Sequence, residues 1–350
     1  MASSTTPGKH ATTTIGERPR PSFAPLRLPL RRRLATVAVL THTVSIALAV
    51  SIFFYLCSLP ILWPIIVIYV IWMISDTAPD NGVHRRKQFM RKGKLWKWFC
   101  DYFPLKLHKT ADLDPKQSYI FGYHPHGIIS MGAFGVFATE AAGFSTLFPG
   151  IHNSLLTLSS NFRIPLYRDY IMSMGIASVS KRSCEKLLAH GPGHAITIVI
   201  GGAQESLLSK PHANDLVLNK RLGVFKIAMK NGASLVPVYA FGENDVYRQV
   251  DNEPGSWLYG FQQLFKKAAG FTVPMFHARG VLNYDFGLMP YRAPINVVVG
   301  KPIRVEKNTN PSLEEIKAVQ AKYIEGLTAI WEQYKDDFAT DREKEMTLIE

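Results

Sequence analysis

The chain has 350 residues with 40 Lys and Arg against 27 Asp and Glu, a net charge of +13. That length supports one large α/β domain or two smaller ones, and the basic excess points to an anionic partner: nucleic acid, a phospholipid surface or a phosphorylated substrate. Three cysteines occur, Cys57 inside an apolar run and Cys100 and Cys184 without metal-ligand spacing, which argues against a disulfide framework and a zinc site. Residues 1–100 hold 14 Lys and Arg against 3 acidic residues, a net +11 that brackets two apolar runs, so the charge belongs to a membrane flank rather than to a nucleic-acid surface.

In chain order, residues 1–33 read as a basic N-terminal segment. To about Pro25 it is rich in Ser, Thr, Pro and Arg, cannot bury apolar surface and is expected to be disordered. No signal peptide is expected, because the apolar run starts late and is too long. Residues 34–75 read as a transmembrane hairpin. Leu34 to Leu56, with His42 as its one strongly polar member, is long enough to cross a hydrocarbon core about 30 Å thick. Leu59 to Ile74 carries Pro60 and Pro64 near its start and reads as a short kinked span or the return arm. Arg31–Arg33 before the pair, and Arg85, Arg86, Lys87, Arg91, Lys92, Lys94 and Lys97 after it, place both flanks in the cytosol. The alternative is a helix pair buried in a soluble core.

Residues 76–117 read as a membrane-interface linker, in which Trp96, Trp98, Phe99, Tyr102 and Phe103 interleave with lysines and are expected at the headgroup layer. From 118 to 340 short apolar strands alternate with helical stretches, which predicts an α/β domain around a largely buried sheet, with 341–350 as a tail. Strands are predicted at Ser118–Tyr123, Ala195–Ile200, Ser234–Phe241 and Ile295–Val299. The last helix is marked by the capping-box pair Ser312 and Glu315 and by Leu313, Ile316, Val319, Tyr323, Leu327, Ile330 and Tyr334 at helical spacing.

Chemistry concentrates in His124-Pro125-His126-Gly127, at the mouth of the first of these strands. Two imidazoles there supply a base that titrates near neutral pH. A metal pair would need further His or Asp ligands close by, and Gly127-Ile128-Ile129-Ser130 offers none. No Gly-x-Ser-x-Gly elbow occurs, which leaves a histidine general base, with two structural histidines satisfying turn carbonyls as the competing reading.

Tyr102-Phe103-Pro104, Phe121-Gly122-Tyr123-His124-Pro125-His126-Gly127, Phe148-Pro149-Gly150, Asn161-Phe162-Arg163, Gly201-Gly202-Ala203-Gln204-Glu205-Ser206, Arg221-Leu222-Gly223-Val224-Phe225-Lys226, Leu235-Val236-Pro237-Val238 and Phe241-Gly242-Glu243-Asn244 run in order over roughly residues 100–305. This ordered set resembles the acyl-CoA:diacylglycerol acyltransferase type 2 family. The resemblance implies a membrane enzyme of the endoplasmic reticulum and lipid droplets that esterifies diacylglycerol from acyl-CoA, which is a substrate, with no cofactor. It also implies a glycerolipid-acyltransferase-like mixed sheet flanked by helices. A homo-oligomer is compatible with it, and oligomeric state is not legible.

More distantly, the blocks are similar to glycerolipid acyltransferases with a His-x4-Asp motif, from which the chain departs. Ile129 and Met131 stand five positions after His124 and His126, so the acid that orients the base must come from elsewhere. Glu205 is the first candidate, Glu140 the second, and Glu243 with Asp245 the third; the competing reading of Glu205 is a helix N-terminal acid complementing the macrodipole. His126 is assigned as the base, Gly127 as an amide donor to the oxyanion, and His124 as a group that orients His126 or contacts substrate, with the two histidine roles exchangeable. For the acyl-CoA phosphates the cations within or beside the blocks are Arg163, Arg168, Lys181, Arg182, Arg221 and Lys226, with Asn161 and Arg163 the favoured pair. A monoacylglycerol or long-chain alcohol acceptor, a silent lipid-binding or droplet-coating protein, and a lipid hydrolase are the rivals.

Overall fold

A computed structural model of the protein describes residues 23–25, 27–249, 260 and 276–349. Of the segment expected to be disordered, to about Pro25, residues 1–22 lie outside the described residues. The strands are β1 (Lys106–Lys109), β2 (Tyr119–His124), β3 (His152–Thr157), β4 (Ala177–Ser178), β5 (His194–Val199), β6 (Asp215–Val217), β7 (Ser234–Phe241), β8 (Arg248–Gln249), β9 (Phe276–His277), β10 (Asn296–Val299) and β11 (Thr347–Ile349). Seven of them form the main sheet, in the order β1-β10-β7-β2-β5-β3-β4. All neighbours are parallel except β10 against β7, so the sheet is mixed, as expected. The four predicted strands are β2, β5, β7 and β10, each within one residue of its predicted start. β1 falls in the stretch read as linker, and β11, from the stretch read as tail, pairs with β6.

β2 is central and buried at every position, which requires cover on both faces. Its side chains alternate. Tyr119, Phe121 and Tyr123 join a cluster with Phe137, Phe144 and Phe148, whereas Ile120 joins the opposite one with Tyr323, Leu327 and Trp331. Those last three lie on the C-terminal helix Leu313–Phe338, which opens on the Ser312–Glu315 capping box in both directions. A side chain at Gly122 would meet the Tyr323 hydroxyl at 2.0 Å, so glycine is what lets this helix approach the strand.

The first apolar run is not one straight helix. Helix α1 (Leu30–Thr43) and helix α2 (Ser45–Cys57) meet at a 62° bend. There Thr43 donates its hydroxyl to the Val39 and Leu40 carbonyls and Ser45 to His42, side-chain bonds that compete with the helical ladder. Ala35, Ala38 and Val39 are small enough to bring α1 against the helix spanning Lys94–Tyr102, and Arg31 pairs with Asp101 at 3.0 Å. Half of the expected span is thus docked on the body. The aromatics expected at the headgroup layer are also redirected: Trp96, Phe99, Tyr102 and Phe103 are buried, because the face they form packs against α1 and the body.

The second run gives helix α3 (Trp63–Ser75), which together with its flanking turns spans Pro60–Asp80, the described helix long and apolar enough to cross a membrane. α2 and α3 bury none of their residues within the protein. Polar contacts tie α3 to the helix Tyr167–Ser173: Tyr69 donates to Asp169 at 2.6 Å, and Arg168 donates to Asp76 at 2.7 Å.

Candidate active site

β2 delivers the chain into a loop built around His126. The His124–Pro125 peptide is cis, Gly127 has φ +58°, and a short helix begins at Met131. His126 is half-buried. Its Nδ1 lies 3.0 Å from the Gly127 carbonyl oxygen, and a carbonyl only accepts, so Nδ1 carries the proton and Nε2 keeps its lone pair. The Ser130 hydroxyl donates to the His126 carbonyl at 2.8 Å and closes the loop from the other side. Burial, with the Arg221 charge adding to it, holds the imidazole below its ordinary range, so the ring is neutral near pH 7.

Glu205 sits on the short helix Gly202–Ser206 that follows β5, and it reaches this loop through the main chain rather than the ring. One carboxylate oxygen accepts the His126 N–H at 2.5 Å and the other accepts the Val217 N–H at 2.8 Å. The acid expected to orient the imidazole instead fixes the backbone that carries it. The reason is geometric: both oxygens are taken by amides, and the Gly127 carbonyl holds Nδ1. Burial raises the Glu205 carboxyl to about 7, against the pull of the two amides and of Arg221. Arg221 donates to the Gly201 carbonyl at 2.8 Å and its Nε is buried without a partner.

Glu243, ranked third among the acids, closes the loop from beneath. Its Oε2 accepts the Tyr123 hydroxyl at 2.5 Å and the Gly132 N–H at 2.9 Å, while Oε1 is buried with no partner. A Cβ at Gly127 would meet the Glu243 side chain at 2.9 Å. Burial raises this carboxyl to about 7 as well.

His124 points the other way. It is fully buried, and its Nε2 lies 3.1 Å from the Tyr323 hydroxyl. That hydroxyl donates to the Gly122 carbonyl at 2.9 Å, so it accepts from His124. Burial pushes the imidazole down to about 3 and keeps it neutral. The ring contact of His124 is thus with Tyr323 rather than with His126, on the side of the C-terminal helix.

The cations disperse. Arg168, one of the expected phosphate ligands, is fully buried, pairs with Asp76 and lies over the Trp72 ring at 5.1 Å, where it clamps α3. Arg163 and Lys226 are exposed, and Asn161 donates to Thr157 at 2.8 Å within its own turn. Glu140 accepts from buried Arg91 at 2.9 Å, away from the loop. Arg221 is the one cation of that group whose charge acts on both His126 and Glu205. Tyr323 was legible only as a core position at helical spacing, and nothing in the sequence announced its bond to His124. Among the described residues, no three His, Cys, Asp or Glu side chains converge to hold a metal.

This arrangement offers an imidazole with a free Nε2 on a loop pinned from two sides by buried acids, at the carboxyl end of a central strand, where open α/β sheets place their sites. Residues 54–349 match the family model described as diacylglycerol acyltransferase. Diacylglycerol O-acyltransferase 2B of Umbelopsis ramanniana is 54% identical over 343 residues, covering 97% of this chain and 98% of that protein. The 2-acylglycerol O-acyltransferase 1 of Bos taurus is 44% identical, covering 90% and 96%. A solved structure, the 1-acyl-sn-glycerophosphate acyltransferase PlsC from Thermotoga maritima, aligns over 86% of this chain and 97% of its own with 13% identity and a TM-score of 0.39. A family match that takes in the whole sheet and the histidine loop, and relatives alike almost from end to end, make this chain a member of the diacylglycerol acyltransferase family.

Proposed function

We propose that this chain transfers a fatty acyl group from acyl-CoA to the free hydroxyl of diacylglycerol, with His126 as general base. The observation that carries this reading is the Nδ1 bond to Gly127, which leaves Nε2 unprotonated and the ring held without a carboxylate. The acceptor hydroxyl is a poor nucleophile near its own pKa. His126 Nε2 takes its proton as the oxygen attacks the thioester carbonyl, and the Gly127 amide donates to the developing oxyanion. Collapse breaks the C–S bond, and the imidazolium returns the proton to the departing CoA sulfur, so triacylglycerol and CoA thiol leave.

The acceptor enters from the bilayer, in which α2 and α3 reside, and acyl-CoA enters from the cytosol; endoplasmic reticulum and lipid-droplet membranes are the corresponding sites. Arg221, whose charge acts on both His126 and Glu205, supports the anionic half of this scheme better than Arg168, which sits against Asp76 and the Trp72 ring. The name of the bovine relative favours a second reading, a monoacylglycerol acceptor.

The test is acyl transfer by the purified chain in phospholipid vesicles, given labelled acyl-CoA with diacylglycerol, monoacylglycerol and a long-chain alcohol in competition. Labelled triacylglycerol as the main product supports the proposal. Diacylglycerol or wax ester would move the acceptor, and free fatty acid alone would indicate hydrolysis.

A further inference from the structure

Residues 279–289 form an excursion closed at its base by paired main chains, Arg279 N–H to Met289 carbonyl at 3.0 Å and the reverse at 2.9 Å. Between those ends the sequence is Gly-Val-Leu-Asn-Tyr-Asp-Phe-Gly-Leu, and its apolar members turn outward: Leu282 is 73% exposed, Phe286 56% and Leu288 71%. Three large apolar side chains on one tip, with Val281 beside them, are costly to leave in water and mark a contact surface.

The position of this tip identifies what covers it. Thr43, the last residue of α1, contacts the Met289 sulfur at 3.9 Å, and the next residue opens the bend into apolar α2. The excursion therefore emerges from the body where α2 leaves it. Phe23 bridges Asn283, and the Ala24 N–H donates to Leu282, so the segment before α1 braces the same tip.

Charge completes the picture. Beyond the base of the excursion, Arg292 donates to the Arg32 carbonyl at 3.0 Å and to the Thr36 hydroxyl at 2.8 Å, and stacks over Tyr102 at 4.2 Å. A cleft of about 540 Å³ opens there, with Arg31, Arg32 and Arg292 against the single acid Asp101 in its wall. An apolar tip beside a cationic cleft is the pattern of an element that sits at a bilayer surface, apolar groups in the acyl boundary and guanidiniums among phosphates.

We propose that the 279–289 excursion is a shallow membrane anchor, its tip at Leu282, Phe286 and Leu288 inserted into the acyl boundary and the Arg31–Arg32–Arg292 cleft bound to the phosphates of anionic phospholipids. It rests on the reading of α2 and α3 as membrane-resident. It adds a third point of attachment, on the catalytic body itself, and so sets the height and tilt of that body over the bilayer.

Site-specific fluorescence tests it on the full chain. Cys57→Ser removes the accessible thiol, since Cys100 and Cys184 are buried and their thiols are pushed up to about 12. A polarity-sensitive probe is then attached at Leu282→Cys or Phe286→Cys, at Ile68→Cys on α3, and at Glu325→Cys on the exposed side of the C-terminal helix. The chains are reconstituted into phosphatidylcholine–phosphatidylserine vesicles carrying a nitroxide near the headgroup or deep in the acyl chain. The expected result is strong quenching of the 282 and 286 probes by the shallow nitroxide, weaker quenching by the deep one, and little of either at 325. Quenching at 68 with none at 282 and 286 would overturn the anchor while leaving the membrane reading intact; no quenching at 68 would remove both. Omitting phosphatidylserine lowers quenching at the tip, and unchanged quenching would overturn the role given to the arginines.

Discussion

Glu205 holds the main-chain N–H of His126 at 2.5 Å and, through its second oxygen, that of Val217 at 2.8 Å, so one carboxyl ties the histidine loop to β6. Both oxygens act as acceptors, which makes the site sensitive to their replacement. In Glu205→Gln the amide NH2 must face one of the two N–H groups, and one buried bond is lost. The variant loses about 1–3 kcal/mol of stability and at least ~10-fold in kcat as the loop relaxes. Thermal unfolding and acyl-transfer assays check this, and a variant with wild-type Tm and kcat would show that the bridge does not position His126.

Tyr323→Phe separates the two histidines. Removing the hydroxyl leaves the His124 Nε2–H without its acceptor in the core and takes one donor from the Gly122 carbonyl, at a cost of about 1–3 kcal/mol. Tm falls while kcat stays within a few-fold of wild type. A large loss of kcat at unchanged Tm would return His124 to the chemistry.

Gly127→Ala tests the shape of the loop. The residue sits at φ +58°, and the new Cβ meets Glu243 at 2.9 Å, so the loop shifts to accommodate it. The left-handed conformation alone costs roughly 1 kcal/mol, and displacement of a base by about 1 Å lowers kcat on the order of 100-fold. Wild-type kcat in a folded Gly127→Ala chain would contradict the geometry.

Glu243→Gln carries a pH signature. The carboxyl is raised from 4.5 to about 7 in the folded chain, so folding binds a proton between those values. Its contribution to stability is fully present below the unfolded value and is lost as pH rises through about 7. Glutamine imitates the neutral acid. Relative to wild type, Glu243→Gln therefore gains stability between pH 5 and pH 8, by an amount on the order of 1–3 kcal/mol. Parallel denaturation curves at the two pH values check it, and a stability of Glu243→Gln relative to wild type that stays level or falls from pH 5 to pH 8 would show that the carboxyl is not held neutral.

Strand and helix positions within the body were legible because their signals are local. Ser234–Phe241 is a continuous apolar run, and Ser312 with Glu315 announces a helix start whatever packs above it. The histidine loop was legible for the same reason, as two imidazoles beside Pro125 and Gly127 at a strand end. What was not legible depends on partners distant in sequence. Arg168 looked like a phosphate ligand until α3 brought Asp76 beside it. Trp96 and Phe99 had a headgroup-layer composition, but the small residues Ala35 and Ala38 bring α1 close enough to bury them. Glu205 was selected for its strand-end position, yet spacing carries no information on whether a carboxyl meets a ring or an amide. Of the other two acids, Glu243 meets the loop through the Gly132 N–H and Glu140 pairs with Arg91, which their distances in sequence from His126 do not reveal.

The central claim is that His126 supplies the base. Its most direct test compares wild-type and His126→Ala chains, at equal abundance in the same membranes, for transfer of labelled acyl chain from acyl-CoA to diacylglycerol with CoA thiol followed in parallel. The account predicts triacylglycerol and thiol from wild type and the loss of both, by at least ~100-fold, in His126→Ala at an unchanged Tm. Transfer that survives the substitution would contradict it.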